Sequence, residues 1–539
     1  MSGIFSTFNI AKRGLFAQQN AVSTTSHNIA NANTEGYSRQ RVHFETTPAH
    51  FKTGVGVIGT GVDIASINRI RDAYLDTQVR YETGILGRYN ARQEILEQVE
   101  MVFMEPSESG LSTVMGKMWD AWQELSKSPE SSYARAIVRD QALTFTDSLN
   151  HMYEQLETLK SDSINLTEKK VLDAHSIIDQ IKSLNDQISR VVIKGETPND
   201  LMDRRDLLLD QLSVIVDFKT TEDKFGRISI ESGGIKLLSA AEGDETAVEL
   251  SVVRSAVMNG DSSVTVTLAR GGDSINGVIV LTMTEEEYRN HSFLKDGAVV
   301  FNDKAWDGKD LSGLEPFKMS NGELLGYQSM SDEISMYQDQ LNGLARALAY
   351  AVNTIHTDSG SHGVPFFVGD GGSSDLSEIT AGNITINQAI IDNPKNINTA
   401  TLPGNPEGDG GRALAIAQLR SVRLPVQDFI DDPDAAAASI TYNNDTMSFE
   451  NVSGGGTFEG YYKDMIAKLG ISSQQAVRMV ENQETLTGQL LQRRYSVSGV
   501  SIDEEVANLI LFQHAYQANA NVIYTLNAML DTLINRMGV

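Results

Sequence analysis

The sequence predicts an α+β multidomain protein with three features. Its long terminal helices pair as an antiparallel coiled coil, a helical-bundle domain adjoins them, and β-rich domains are inserted in the middle of the chain. Apolar residues at both chain ends recur at alternating steps of three and four residues, as in a coiled-coil seam. Alternating apolar and polar residues occupy the middle, which is typical of strands. A chain of 539 residues also exceeds what one ordinary core accommodates.

The two terminal helices each present one line of mostly large apolar side chains. On the N-terminal helix, residues 1–35, this line is formed by Ile4, Phe8, Leu15, Val22 and Ile29, with Ala11 between Phe8 and Leu15. On the C-terminal helix, residues 500–539, it is formed by Ile502, Val506, Leu509, Tyr516, Ile523, Leu530 and Ile534. Neither helix has a second stripe around which to build a core, so each needs a partner. Because chain ends often lie near one another, we expect the helices to pair and these residues to form the assembly interface.

The sequence also predicts where the first helix ends and where the last helix begins. An Asn-rich run that closes at Gly36 predicts that the first helix stops near Asn33, since Asn and Gly tolerate the left-handed conformation. Residues 37–44 then alternate as an extended arm. Ser501 followed by Glu504 matches a capping box, which predicts that the last helix begins there.

Between these helices the pattern changes several times. Helical stripes at 86–104, 111–126, 132–160 and 171–192 predict a helical domain over 36–216 that includes an extended or β-hairpin arm. The remaining predicted segments are a β-rich inserted domain at 217–325, a helix at 326–356 that returns to the helical domain, an acidic loop- and β-rich insertion at 357–457, and a helical segment at 458–499. We expect the acidic insertion to face solvent.

The charge and composition exclude several classes of partner. The chain carries 44 basic and 71 acidic side chains, a net charge of −27, so we expect neither nucleic acid nor an anionic membrane as its main partner. It has no cysteine, and hence no disulfide or thiolate chemistry. No apolar run approaches the roughly 20 residues of a membrane span, and the N-terminus lacks the pattern of a cleaved signal peptide.

Motifs for catalysis or ligand binding are incomplete. The G-x-G-x-x-G string at 54–59 is followed by an extended pattern rather than a helix, which favours a glycine hairpin over a dinucleotide site. The P-loop-like string at 110–117 has the wrong glycine spacing, and the acidic strings lack the ligand spacing of a calcium loop. His356 and His362 match no zinc motif. We therefore predict no enzyme, no catalytic residue, no cofactor and no metal.

Several stretches resemble one family of bacterial proteins. SHNIANANTEGYSRQ at 26–40 resembles the N-terminal signature of flagellar rod, hook and hook-associated proteins, although members usually carry Pro where this chain has Glu35. Within that family, NDLMDRRDLLLDQLS at 199–213, INRIRDAYLDTQ at 67–78, MWDAWQELSKSPESSYAR at 118–135 and the segment 496–533 are similar to the hook-associated proteins of the hook-filament junction.

The resemblance implies a structural component of the bacterial flagellum that connects the hook to the filament as a ring of copies. It implies contacts with hook protein, with the second hook-filament junction protein, and with a cytoplasmic export chaperone at the C-terminal helix. It also implies an extracellular location, reached through the flagellar export apparatus without a cleaved signal. Two alternatives stay open: a hook or rod axial protein of the same superfamily, or a scaffold that displays an extracellular adhesin or hydrolase module.

Overall fold

The computed structural model describes residues 2–52, 56–103, 107, 110–240, 248–260, 262–304, 306–311, 313–360, 362–402 and 404–535. It combines long helices with small antiparallel sheets, so the predicted α+β class is confirmed. The helices are α1 (Ser2–Ala30), α2 (Ala73–Phe103), α3 (Leu111–Lys127), α4 (Ser132–Val192), α5 (Asn199–Ile215), α6 (Glu285–Asn290), α7 (Glu323–Thr357), α8 (Gln388–Asp392), α9 (Gly411–Gln418), α10 (Pro433–Ala438), α11 (Phe458–Ser498) and α12 (Ile502–Asn535).

The strands form six small sheets among these residues. They are β1 (Gln40–Thr46), β2 (His50–Lys52), β3 (Gly56–Ile58), β4 (Val62–Arg69), β5 (Lys219–Glu222), β6 (Ile228–Ser232), β7 (Ile235–Leu238), β8 (Val248–Met258), β9 (Ser263–Arg270), β10 (Val278–Thr284), β11 (Val299–Asp303), β12 (Glu315–Pro316), β13 (Phe367–Val368), β14 (Thr385–Ile386), β15 (Tyr442–Asn443) and β16 (Ser448–Phe449). The largest sheet has the order β10-β9-β8-β11-β12, and β5-β6-β7 form a second.

The arm that follows α1 is a two-stranded ribbon. β1 pairs with β4, and β2 pairs with β3 in a shorter hairpin beyond them. The glycine-rich string 54–59 falls in this hairpin, with Gly54 and Val55 outside the described residues. Strand β3 leads into strand β4 rather than into a helix, which is the extended course that the sequence predicts.

The main core joins helices from both halves of the chain. Buried side chains of α2, α3, α4, α7 and the first half of α11 form one cluster around Trp119 and Trp122. Helix α4 is a single helix of 61 residues, whereas the sequence predicts two separate helical stretches within it. The long helix is possible because polar residues in its middle are paired: Ser163 Oγ donates to the carbonyl oxygen of Tyr327 at 2.9 Å.

The acidic segment 357–457 also belongs to this core, so our expectation that it faces solvent is wrong. Phe366 packs against Trp122 with ring centroids 5.1 Å apart, and Phe367, Phe429 and many aliphatic residues of the segment are buried. Its acidic and amide side chains bond to nearby backbone, as Asp409 does to the amide nitrogen of Thr401 at 2.8 Å. The charges therefore lie at turns while the apolar residues point inward.

The β-rich region after α5 packs on the second half of α4. Arg205 of α5 is buried and donates through Nη1 to the carbonyl oxygen of Gly226 at 2.5 Å. Asn185 of α4 donates to the carbonyl oxygen of Ile228 at 2.8 Å and accepts from its amide at 3.2 Å. These polar contacts fix the β5-β6-β7 sheet to the helical domain.

Candidate assembly interface

The two terminal helices pack along each other in opposite directions. Asn28, near the end of α1, donates through Nδ2 to Oε2 of Glu505 in the first turn of α12 at 2.9 Å. Gly14, near the middle of α1, faces Asn519, which lies farther along α12. The chain ends therefore pair in the antiparallel sense that the sequence predicts. We call this pair of helices the terminal rod.

Small residues of α1 form the line of closest contact in the terminal rod. Ala11, Ala17 and Ala21 are buried. A Cβ atom built onto Gly14 would lie 2.8 Å from Oδ1 of Asn519, closer than ordinary van der Waals contact. Because the distance between packed helices depends on the side chains at their contact, the backbones of α1 and α12 approach closely here.

Apart from Ala11, the predicted seam residues lie beside this line rather than on it. On α1 the half-buried ones are Ile4, Phe8, Leu15, Val22 and Ile29. On α12 the half-buried ones are Leu509, Tyr516, Ile523 and Leu530. The exposed ones are Ile502, Val506 and Ile534, the last with 70% of its surface accessible. The sequence prediction found only Ala11 of the contact line because it relied mainly on large apolar side chains, whereas small ones allow the close approach.

Further large apolar side chains of the terminal rod are exposed. They are Phe5, Phe16, Ile510, Leu511, Val522, Tyr524, Met529 and Leu533. Together with Ile502, Val506 and Ile534 we call them the outer rod residues. Scattered single apolar residues are normal on a protein surface, but so many on two helices indicate a surface that binds other protein.

The base of the rod is organised around Asn28, which is 1% exposed. Besides its bond to Glu505, Nδ2 of Asn28 donates to the carbonyl oxygen of Gln40 at 2.9 Å. Its Oδ1 accepts from the amide of Gln40 at 3.0 Å and from the hydroxyl of Tyr37 at 2.8 Å. Burial and three nearby carboxylates raise the pKa of Tyr37, so its hydroxyl keeps the proton that it donates. Asn28 thus ties α1 to the arm and to α12.

Helix α1 ends at Ala30, slightly before the predicted Asn33, and α12 begins at Ile502 as predicted. Ser501 Oγ accepts from the amide of Glu504 at 3.5 Å, which is a long contact for a cap. The carboxylate of Glu504 instead accepts from Nη1 of Arg39 in the arm at 2.7 Å. The acidic first turn of α12 therefore also binds the arm.

Below the rod base lies a group of charged side chains from four segments, which we call the Arg-Asp cluster. Its arginines are Arg69 at the end of β4, Arg71 just before α2, Arg80 on α2 and Arg494 on α11. Its acids are Asp76 on α2 and Asp203, Asp206 and Asp210 on α5. Asp203 also accepts from the backbone amide of Ser38 at 3.0 Å, which links the cluster to the segment that follows α1.

Asp206 has the most arginine partners in this cluster. Its carboxylate lies 2.7 Å from Nη1 of Arg69, 3.4 Å from Nη1 of Arg71 and 3.2 Å from Nη2 of Arg80. Burial acts to raise the pKa of Asp206, but Arg71, Arg69 and Arg80 outweigh it and hold that pKa below its ordinary value. Arg494 lies 2.7 Å from Asp210 and brings α11, the helix that leads into α12, into the same network.

The sequence did not predict this cluster. A signal was present, because Asp203, Asp206 and Asp210 are spaced by three and four residues and so share one face of a helix. Their partners, however, lie more than 120 residues earlier in the chain or more than 280 residues later. No local pattern identifies which arginines those are.

The described residues provide neither a metal site nor a membrane-spanning helix. They contain no group of three or more His, Asp or Glu side chains arranged to hold a metal ion. In the same part of the chain, no helix is both long and apolar enough to cross a membrane.

Comparison with protein families finds flagellar axial proteins along much of the chain. Residues 96–283 match the family described as flagellar hook-associated protein FlgK helical domain. Residues 8–37 match the flagella basal body rod protein family. Residues 491–537 match the family described as flagellar basal body rod FlgEFG protein C-terminal. The two terminal matches cover most of the terminal rod.

Full-length relatives agree with these matches. Flagellar hook-associated protein 1 of Bacillus subtilis is 33% identical over 100% of this chain and 99% of its own length. The protein of the same name from Salmonella typhimurium is 25% identical over 98% of this chain and 99% of its own length.

A solved structure supports the fold. The flagellar hook junction protein FlgK from Burkholderia pseudomallei superposes with a TM-score of 0.55 and 15% identity, over 78% of this chain and all of that one. The resemblance noted in the sequence is confirmed, and it favours the junction protein over a hook or rod protein and over a displayed adhesin or hydrolase. This chain belongs to the flagellar hook-associated protein 1 family and is a structural, non-enzymatic component of the bacterial flagellum at the hook-filament junction.

Proposed function

We propose that copies of this chain form a ring through their terminal rods, with the predicted seam residues and the other outer rod residues at the contacts between copies. The observation that carries this proposal is the exposure of the outer rod residues in a single copy, exemplified by Ile534. Each square ångström of apolar surface removed from water stabilises an assembly by about 25 cal/mol. A second copy therefore has a strong driving force to cover the rod.

A single charge on the rod tests this role. Val506→Asp places a carboxylate among the outer rod residues, and an unpaired charge at an apolar contact costs several kcal/mol. The fold should persist, because Val506 is exposed in the single chain and the new carboxylate stays in contact with water. In a strain that lacks the gene, this variant should leave hooks without filaments and release flagellin into the medium.

The matched control is Gln517→Asp, which adds the same charge at an exposed polar position of α12. It should support normal filaments. Circular dichroism of both purified variants checks that their helices are intact. If the Val506→Asp strain carried filaments as often as the control strain, the assembly role of the rod would be wrong.

We also propose that the ring contacts hook protein on one side and the second hook-filament junction protein on the other. The reason is mechanical: a bending hook and a stiff filament must share one lattice without sharing one interface. Chemical cross-linking of purified junctions followed by mass spectrometry should yield peptides from both neighbours joined to this chain. Cross-links to flagellin in place of the second junction protein would contradict the arrangement.

Before assembly, we propose, a cytoplasmic export chaperone covers the C-terminal helix. The exposed apolar residues of α12 would otherwise aggregate, and an amphipathic helix is readily buried in a groove. Calorimetric titration of the chaperone into the full-length chain and into a chain that ends at Gly499 tests the site. Binding should be lost in the shorter chain, and equal affinities would exclude α12.

We propose that the protein reaches the outside of the cell through the flagellar export apparatus with its N-terminus uncleaved. The match to the flagellar hook-associated protein family supports this route. The mass of the protein recovered from sheared flagella should equal that of the cytoplasmic form. A loss of 15 or more N-terminal residues, the usual minimum for a signal peptide, would contradict the proposal.

A further inference from the structure

A cleft of about 330 Å³ opens between α2, the start of α7 and the middle of α11, away from the terminal rod and the Arg-Asp cluster. Its polar lining is rich in hydrogen-bond donors: Arg88, Arg92, Ser329, Ser472 and Gln475. No acidic side chain is among the residues that line it. This is unusual in a chain whose net charge is −27.

The two arginines of the cleft differ in their hydrogen-bond and ion-pair partners. Arg92 donates to Glu333 at 2.7 Å and to Ser329 Oγ at 3.0 Å. Arg88 donates to the hydroxyl of Tyr89 at 2.7 Å and to the carbonyl oxygen of Ser320 at 3.4 Å, and its buried Nε has no hydrogen-bond partner. Among the described residues no carboxylate forms an ion pair with Arg88. A guanidinium without a carboxylate partner, in a cleft with no acidic lining, is suited to bind an anion.

The backbone around Arg88 is held firmly in place. Helices α2 and α7 approach closely there, because a Cβ atom added to Gly326 would lie 2.7 Å from the carbonyl oxygen of Arg88. The cleft is therefore preformed, and little ordering is needed when a ligand binds.

A suitable carboxylate lies on the opposite side of the same helical layer. Helices α2 and α7 lie between α11 and α4. Asp162 on α4 is exposed and has no ion pair among the described residues. It lies at the height of the cleft, since its neighbour Ser163 bonds to Tyr327 of α7 and the cleft is lined by Leu325 and Ser329.

We infer that in the assembled ring the Arg88 cleft of one copy binds an acidic side chain of a second copy, Asp162 of α4. This inference rests on the proposed ring of copies. A basic site on one side of the helical domain and an acidic site on the other suit a contact that repeats from copy to copy in the same orientation. It also lets strongly acidic subunits meet without placing like charges together.

Photo-cross-linking in intact flagella tests the contact. A photoreactive amino acid at Gln475, an exposed residue on the rim of the cleft, should join two copies, with the cross-link mapped by mass spectrometry to α4 near Asp162. Arg88→Gln and Asp162→Asn should each lower the yield by roughly fivefold or more. The double variant R88D/D162R, which exchanges the charges, should restore it. Arg478→Gln removes the same charge from an exposed part of α11 outside the cleft and should change nothing.

Thermal unfolding of each purified variant confirms that it is folded, and the charge exchange separates a lost contact from a damaged subunit. Cross-links from Gln475 to another part of the chain or to another flagellar protein would overturn the inference, as would a yield that Arg88→Gln leaves unchanged. A second probe at Val506 reports on the terminal rod. If it joins two copies while the Gln475 probe does not, only the cleft contact is wrong; if neither does, the proposed ring itself fails.

Discussion

Replacing Asp206 by Asn removes one carboxylate from the Arg-Asp cluster and leaves its arginine partners in place. Arg69, Arg71 and Arg80 all lie within 3.4 Å of that carboxylate. The side chain of Asp206 is only 14% exposed, and those of the three arginines 13% to 14%. Water therefore cannot replace the lost charge effectively.

The expected cost follows from this burial. Removing one partner of a buried ion pair typically costs about 3 to 5 kcal/mol, because the other charge is left uncompensated. Asp203 and Asp210 still neutralise part of the arginine charge, so we expect the lower end, about 3 kcal/mol. The pKa of Asp206 is lower in the folded protein than its ordinary value of 3.8. Its contribution is therefore complete above that value and is lost as the pH falls through the folded pKa.

Hydrogen exchange of the α5 backbone amides measures the local opening free energy. At pH 7 it should fall by about 3 kcal/mol in Asp206→Asn. The control is Asp120→Asn, which removes an ion pair of 3.1 Å to Arg420 whose side chains are 68% and 47% exposed. An exposed pair of this kind contributes about 0 to 1 kcal/mol. If the opening free energy fell equally little in both variants, the Arg-Asp cluster would not stabilise the base of the rod.

Three further results are expected. Gly87→Ala should destabilise the protein by about 1 to 2 kcal/mol, because the added Cβ would lie 2.5 Å from the carbonyl oxygen of Val214. Gly470→Ala should instead stabilise α11 by up to about 1 kcal/mol, because no atom lies within 4 Å of the added Cβ, and thermal unfolding of the two variants measures both effects. Burial lowers the pKa of His356 from 6.5 to about 4, so the unfolded chain binds a proton more readily than the folded protein. The free energy of unfolding should therefore fall by roughly 3 kcal/mol between pH 6.5 and 4, and urea unfolding of His356→Gln should show a shallower pH dependence. Phe366→Ala should cost about 3 to 5 kcal/mol in urea unfolding, and a loss below 1 kcal/mol would contradict our placement of the 357–457 segment in the core.

The long helices were predictable because their apolar patterns are local. The stripe of α7 and the cap before α12 are both readable over a few turns. Helix α4 was predicted as two helices because Ser163 and Thr167 interrupt its apolar stripe. Both are buried, and the distant partner that satisfies Ser163, Tyr327, is not visible in the local sequence.

Contacts between distant segments set the limit of prediction. The acidic segment 357–457 looked like surface because its acidic residues far outnumber its basic ones and its glycines are frequent, yet its apolar residues fill the core. In the terminal rod, the pattern of large residues located the helices but missed the contact at Gly14 and Ala21. Asn28 was recognised as part of a helix end, while its bond to Glu505 spans almost the whole chain.

We propose that the outer rod residues form the contacts between copies at the hook-filament junction. Electron cryomicroscopy of purified junctions, at a resolution that shows side chains, tests it most directly. Val506 and Ile534, both exposed in the single chain, should be covered by the rod of a neighbouring copy. Density in which these side chains face the open central channel, with copies joined only through their helical domains, would contradict it.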